Sequence, residues 1–176
     1  MKTLLSESEI QDGVARLAAQ VAADYAGRSV TILGVMTGSV VFLADLIRQL
    51  DMPLRVGVVQ ASSYRGQTTR GRLVIHADLM PEIEQRDVLL IDDIFDTGHT
   101  LAELRLHLER LGARSVRTAV LLLKEGRRQV ELQPDYAVFT IPDMFVVGYG
   151  LDFRDAYRNL PYVAALDPAD IESPVA

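Results

Sequence analysis

Two stretches of this chain, Val88–Ile91 and Val116–Leu123, run apolar with few interruptions. A strand with one wet face alternates apolar and polar residues; a strand that does not alternate is covered on both faces, as in a parallel sheet between layers of helix. The other segments fit such an α/β chain. Ser6 and Glu9 have capping-box spacing, and Ile10, Val14, Leu17, Ala18 and Val21 follow on one face before Gly27, which predicts a first helix of about 18 residues. Strands are expected near Val30–Met36, Leu54–Ala61 and Leu73–Ala77, with a helix from Ser39 to about Leu50 that turns Leu43, Leu46, Ile47 and Leu50 inward. Shorter strands are expected at Tyr136–Ile141 and Phe145–Tyr149. The expected fold is therefore a parallel twisted sheet flanked by helices.

Composition narrows the class. The chain of 176 residues is 49% hydrophobic, enough for one good core and short for two, so residues 1–176 are expected to form a single domain with 167–176 as a loose tail. There is no Cys, Met1–Glu9 lacks the basic-then-apolar form of a signal peptide, and no run of about 18 apolar residues occurs. A cytoplasmic protein is expected. The net charge of −6 argues against broad nucleic-acid binding. An acidic chain that binds a polyphosphate must do so locally, through backbone amides, a few Lys or Arg, and Mg²⁺.

The local site is conspicuous. The strand at Val88–Ile91 delivers Asp92 and Asp93, and after two apolar residues comes Asp96-Thr97-Gly98-His99-Thr100. Leu101, Leu104, Leu108 and Leu111 then recur at helical spacing and Gly112 supplies a stop, so the turn sits at a helix N-terminus, where backbone N–H groups and the dipole favour an anion. Two carboxylates beside an anion cradle suit a sugar phosphate and its metal.

This pattern resembles the phosphoribosyl-pyrophosphate signature of type I phosphoribosyltransferases, and the flanking blocks resemble the hypoxanthine-guanine branch. The blocks are Gly34-Val35-Met36-Thr37-Gly38-Ser39, Ser62-Ser63-Tyr64, the signature itself, and Pro142-Asp143 with Phe145-Val146-Val147-Gly148-Tyr149-Gly150-Leu151-Asp152. The resemblance implies that same sheet with a small hood built from the N- and C-terminal segments. It implies Asp92 and Asp93 on the ribose hydroxyls and Mg²⁺, and Thr97, Gly98, His99 and Thr100 around the 5′-phosphate. His99 stands where the family often has Lys or Arg. Thr37 and Gly38 would lie on the pyrophosphate, in a loop where the family commonly carries a basic residue and a cis peptide. Ser63 and Tyr64 would lead a loop, through Arg72, that closes over the diphosphate and excludes water. Arg158 resembles a pyrophosphate-contacting arginine.

For the base, the resemblance implies Lys124 as donor to the exocyclic oxygen of a 6-oxopurine, Phe145 stacked on the ring, the backbone at Val146 reading its edge, and Asp152 holding the metal or ordering the pocket. Asp96 has two compatible readings, general acid/base at the purine N7 and N-cap of the helix. The activity implied is transfer of ribose 5-phosphate to hypoxanthine or guanine, giving IMP or GMP, in a homodimer or homotetramer. Two other functions fit the same residues less well. A phosphoribosyl-pyrophosphate sensor of this fold usually lacks the acid at Asp96, and a transferase for xanthine, adenine or a pyrimidine fits Lys124 and Phe145 less closely.

Overall fold

In a computed structural model the chain is described over residues 1–63 and 73–172. The elements are β1 (Lys2–Leu5), α1 (Glu7–Asp24), β2 (Val30–Met36), α2 (Val40–Ile47), β3 (Leu54–Ser63), β4 (Leu73–His76), β5 (Asp87–Phe95), α3 (His99–Arg110), β6 (Ser115–Lys124), β7 (Tyr136–Ile141), β8 (Val146–Val147), β9 (Val163–Ala165) and α4 (Pro168–Glu172). Six strands form the main sheet in the order β4-β3-β2-β5-β6-β7. All its pairs are parallel except β3 with β4. No helix among the described residues is long and apolar enough to cross a membrane.

The unbroken apolar strands have the reason the sequence suggested. Successive side chains of a strand point to opposite faces. In β5, Leu89 and Ile91 join the core under α1 and α2, while Val88 and Leu90 join the one under α3. In β2, Ile32 faces the first core and Leu33 and Val35 the second. Each fully buried Leu, Ile or Val contributes about 1.5–3 kcal/mol, so these central strands anchor whatever their carboxyl ends carry.

The helix starts follow local chemistry. Ser6 caps α1 in a two-way capping box with Glu9, as its spacing predicts. Beyond the sheet, β1, β9 and β8 pair antiparallel, so the N- and C-terminal segments do meet in a second, three-stranded sheet.

Four expectations change. Helix α2 ends at Ile47 rather than Leu50, because Gln49 and Leu50 bond back to Leu46 and Ile47 in a tightened last turn. Strand β5 continues through Asp92 and Asp93 to Phe95, because β6 keeps offering partners as far as Leu123. Strand β8 shrinks to two residues, since Gly148 and Tyr149 take positive φ and leave the extended region. The segment after Leu166 is not wholly loose: α4 forms, and the Met1 amino group pairs with both Asp167 and Asp170 at 2.9 Å.

Candidate active site

The site lies at the carboxyl ends of β5, β6 and β7, which is where parallel sheets place ligands. Asp92 is 9% exposed, with its Oδ1 accepting from the Asp93 N–H at 3.0 Å. Asp93 Oδ1 accepts from the Ile94 N–H at 2.8 Å. Among the described residues neither carboxylate has an ion-pair partner. Burial therefore dominates: it pushes the Asp92 carboxyl well above the usual range, with the Asp93 charge adding to the effect, and it raises Asp93 as well. Gly38 is packed directly against this pair, since a Cβ there would fall 1.8 Å from Asp93 Oδ2.

Past Phe95 the chain turns through Asp96 and Thr97 into α3. The N-cap of α3 is Gly98, with no side-chain cap. Asp96 therefore does not cap the helix, and that expectation is corrected. The first N–H groups of α3 have no partner in the preceding turn, as at any helix start. The segment after β6 backs this turn. Gln129 N–H donates to the Thr97 carbonyl at 2.9 Å, and His99 Nε2 lies 3.3 Å from Gln129 Oε1.

Asp96 is instead held by cations. Arg127 Nε donates to its Oδ1 at 2.9 Å, and Lys124 Nζ lies 3.4 Å from its Oδ2. The same two cations reach Asp143 Oδ1, Lys124 at 3.6 Å and Arg127 at 3.7 Å. The four groups form a ring of alternating charge. Burial by itself would raise the Asp96 carboxyl, but the Arg127 hydrogen bond and the charges of Lys124 and Arg127 outweigh it and hold it below its ordinary value. Arg127 carries no signal in the sequence, and Asp143 enters there only within the Pro142-Asp143 block, with no role, because both look like ordinary turn residues until the chain folds.

Two adjoining cavities share Asp93, Ile94 and Asp96. One, of about 210 Å³, is lined also by Lys124, Phe145, Val146, Leu151 and Asp152. The other, of about 260 Å³, is lined also by Asp92, Phe95, Thr97, Gly98, Thr100 and Leu101. The chain thus separates a chamber lined half by apolar residues and half by charged ones, with Lys124 facing Asp93, Asp96 and Asp152, from a chamber at a helix N-terminus. Phe145, 43% exposed, is braced edge-on by Phe153, with ring centroids 5.3 Å apart.

The remaining expected residues are placed as follows. Thr37 and Gly38 link β2 to α2 beside Asp93 and line neither cavity; the Met36–Thr37 peptide is cis. Arg158 is turned inward, with its NH2 group 2.7 Å from Asp152 Oδ1 and its NH1 group donating to the Gly150 carbonyl at 2.7 Å. Asp152 Oδ2 accepts from the Asp155 N–H at 2.9 Å. Both Asp152 oxygens are thus engaged, and among the described residues no three acidic or His side chains gather at metal-ligating spacing. The expected triad of Asp92, Asp93 and Asp152 is therefore not assembled. Ser63 ends β3 opposite Leu73, while Tyr64 and the rest of the expected closing loop, 64–72, lie outside the described residues.

Comparison with known proteins accounts for this arrangement. Residues 1–154 match the phosphoribosyl transferase domain family. A hypoxanthine-guanine phosphoribosyltransferase of Streptococcus pneumoniae is 43% identical over 166 residues, covering 94% of this chain and 92% of that protein. A crystal structure of a hypoxanthine phosphoribosyltransferase from Staphylococcus aureus superimposes with a TM-score of 0.92 at 39% identity, covering 99% of this chain and 95% of its own. A hypoxanthine-guanine phosphoribosyltransferase structure from Bacillus anthracis gives a TM-score of 0.90 at 38% identity, covering 95% of this chain and 99% of that one. On the match over most of its length, and on a fold and likeness that agree with it, the chain belongs to the phosphoribosyl transferase family.

Proposed function

We propose that this chain is a single-domain purine salvage enzyme, transferring the 5-phosphoribosyl group from phosphoribosyl pyrophosphate to hypoxanthine or guanine and releasing pyrophosphate. The observation that carries the reading is the pair of adjoining cavities joined through Asp93 and Asp96. The chamber at the α3 N-terminus takes the 5′-phosphate on the backbone of 97–100 and the Thr97 and Thr100 hydroxyls, and the His99 side chain stays with Gln129. The chamber beyond Asp96 takes the base. There Lys124 donates to the exocyclic oxygen, Phe145 covers the ring and the Val146 backbone meets its edge. Thr37 and Gly38 present the β2–α2 loop to the pyrophosphate, and Ser63, Tyr64 and Arg158 are its further expected partners.

Asp92 and Asp93 fit a divalent cation such as Mg²⁺. They are two adjacent acids that burial disfavours as anions, that have no ion-pair contact among the described residues, and of which only Asp93 feels a basic side chain, the charge of Arg158, too weakly to offset its burial. Held by Asp92 and Asp93, such a cation would offset the diphosphate charge, while the chain's own groups set the geometry. Asp152, already bound by Arg158 and the Asp155 N–H, orders the base chamber rather than joining the metal. Asp96 borders both chambers. It faces the bond exchange, taking the proton that the purine loses as the ribosyl carbon leaves pyrophosphate for the base nitrogen. A cytoplasmic location and a homodimer or homotetramer complete the proposal; Val74 and Leu79, exposed at the β4 edge, supply apolar surface for a second copy.

Lys124→Gln tests the base-chamber assignment. It removes a cation that is 11% exposed, so hypoxanthine use should weaken by about 1.5–3 kcal/mol with phosphoribosyl-pyrophosphate binding little changed. Steady-state kinetics with each substrate varied in turn measures both. Equal losses for the two ligands would place Lys124 in a structural role.

A further inference from the structure

Two members of the charge ring, Arg127 and Asp143, have no part in the transfer as described. The role open to them depends on Lys124 being the donor to the purine oxygen, and so rests on the proposed function. Lys124 lies between two acids, 3.4 Å from Asp96 and 3.6 Å from Asp143. An ammonium has three hydrogens to give. The third is not committed to an acid, but both carboxylate charges draw the group toward themselves, so moving it to a purine oxygen lengthens those contacts, and the acids then need another cation. Arg127 already touches both acids, with Nε 2.9 Å from Asp96 and 3.7 Å from Asp143. Its side chain lines neither cavity, so it acts through its neighbours and not on substrate.

We propose that Arg127 is a positioning residue that keeps Asp96 and Asp143 neutralised while Lys124 shifts its hydrogen bond to the purine, making this exchange of partners a determinant of 6-oxopurine affinity. Without Arg127, Lys124 is the only cation of the ring facing two carboxylates, and each purine must compete with both. The burden comes from Asp143 as much as from the missing arginine. Removing Asp143 as well should therefore release Lys124 again.

The experiment is a double-mutant cycle with hypoxanthine and phosphoribosyl pyrophosphate. In Arg127→Gln, KM for hypoxanthine should rise on the order of tenfold, as for groups within one ion network, with KM for phosphoribosyl pyrophosphate unchanged. Adding Asp143→Asn to Arg127→Gln should bring the hypoxanthine KM back toward wild type, and Arg127→Lys should keep most of the affinity. Melting temperatures of all variants identify any loss due to misfolding, in which case Arg127→Lys and the double variant carry the comparison. An Arg127→Gln enzyme with unaltered hypoxanthine KM, or a double variant no better than the single, overturns the partner exchange. Wild-type protein that makes no nucleotide from hypoxanthine would instead overturn the proposed function, and this inference with it.

Discussion

Within one site, neighbouring carboxylates are driven in opposite directions by their surroundings. Asp92 and Asp93 are raised by burial, and Asp96 is held down by Arg127 and Lys124 against its own burial. Divergent titration of this kind marks divided chemical labour. Asp96→Asn tests the second role. Gly98, not Asp96, holds the N-cap of α3, and the pairs lost are part-exposed ones worth about 0–1 kcal/mol, so the melting temperature should move little. The rate constant kcat for hypoxanthine should fall about 10²–10⁴-fold. An Asp96→Asn enzyme within a few-fold of full rate would contradict the general-base assignment. Asp93→Asn tests the first role. A carboxyl whose folded pKa is raised costs stability above that pKa and costs nothing once the pH drops below its unfolded value near 4. At neutral pH with chelator, Asp93→Asn should melt higher than wild type, the gap should close toward pH 4, and the stabilisation that Mg²⁺ gives wild type should be lost. A lower melting point in chelator would show that Asp93 is held by structural bonds instead.

Among the elements, the loop between β2 and α2 is wedged between β5 and the turn after β8. Gly38 faces the Asp93 carboxylate, and behind it a Cβ on Gly150 would fall 2.1 Å from the Gly38 carbonyl oxygen. Gly150 also has a φ of +101°, so Gly150→Ala combines backbone strain with a backbone clash. A loss of about 2 kcal/mol or more is expected, read by thermal or urea unfolding. An unfolding curve matching wild type would mean that this wedge yields freely. The strands β2, β6 and β7 and the helix α1 were legible because each rests on a local signal: an apolar run, or a capping box ahead of a helical stripe. The end of α2, the reach of β5 and the shortness of β8 were not, because partners distant in sequence set them. Helix α4 has a local signal too, Asp167-Pro168-Ala169-Asp170, in which Pro suits a first helical turn, but it is short and lies in a segment of mixed charge. The site divides in the same way. The acids and the phosphate turn are contiguous in sequence and could be read directly, whereas the bonds of Arg127 to Asp96 and of Arg158 to Asp152 exist only once separate loops meet.

Across the whole molecule, a chain of net charge −6 gathers Lys124, Arg127 and Arg158 around one end of its sheet, while the antiparallel strands β1, β9 and β8 close beside it. An acidic surface with a local set of cations suits a polyphosphate sugar far better than a polynucleotide. The chamber in which, among the described residues, Lys124 is the one cation beside Ile94, Phe145, Val146 and Leu151 suits a base whose sixth position carries an acceptor for Lys124, and opposes one carrying an amino group there. The most direct test offers the purified protein phosphoribosyl pyrophosphate and Mg²⁺ with hypoxanthine, guanine, xanthine, adenine and uracil in turn, and follows nucleotide and pyrophosphate by chromatography. Hypoxanthine or guanine should yield nucleotide and pyrophosphate in equal amounts, with adenine and uracil unused. Preference for adenine, or no nucleotide from any 6-oxopurine, would contradict the account.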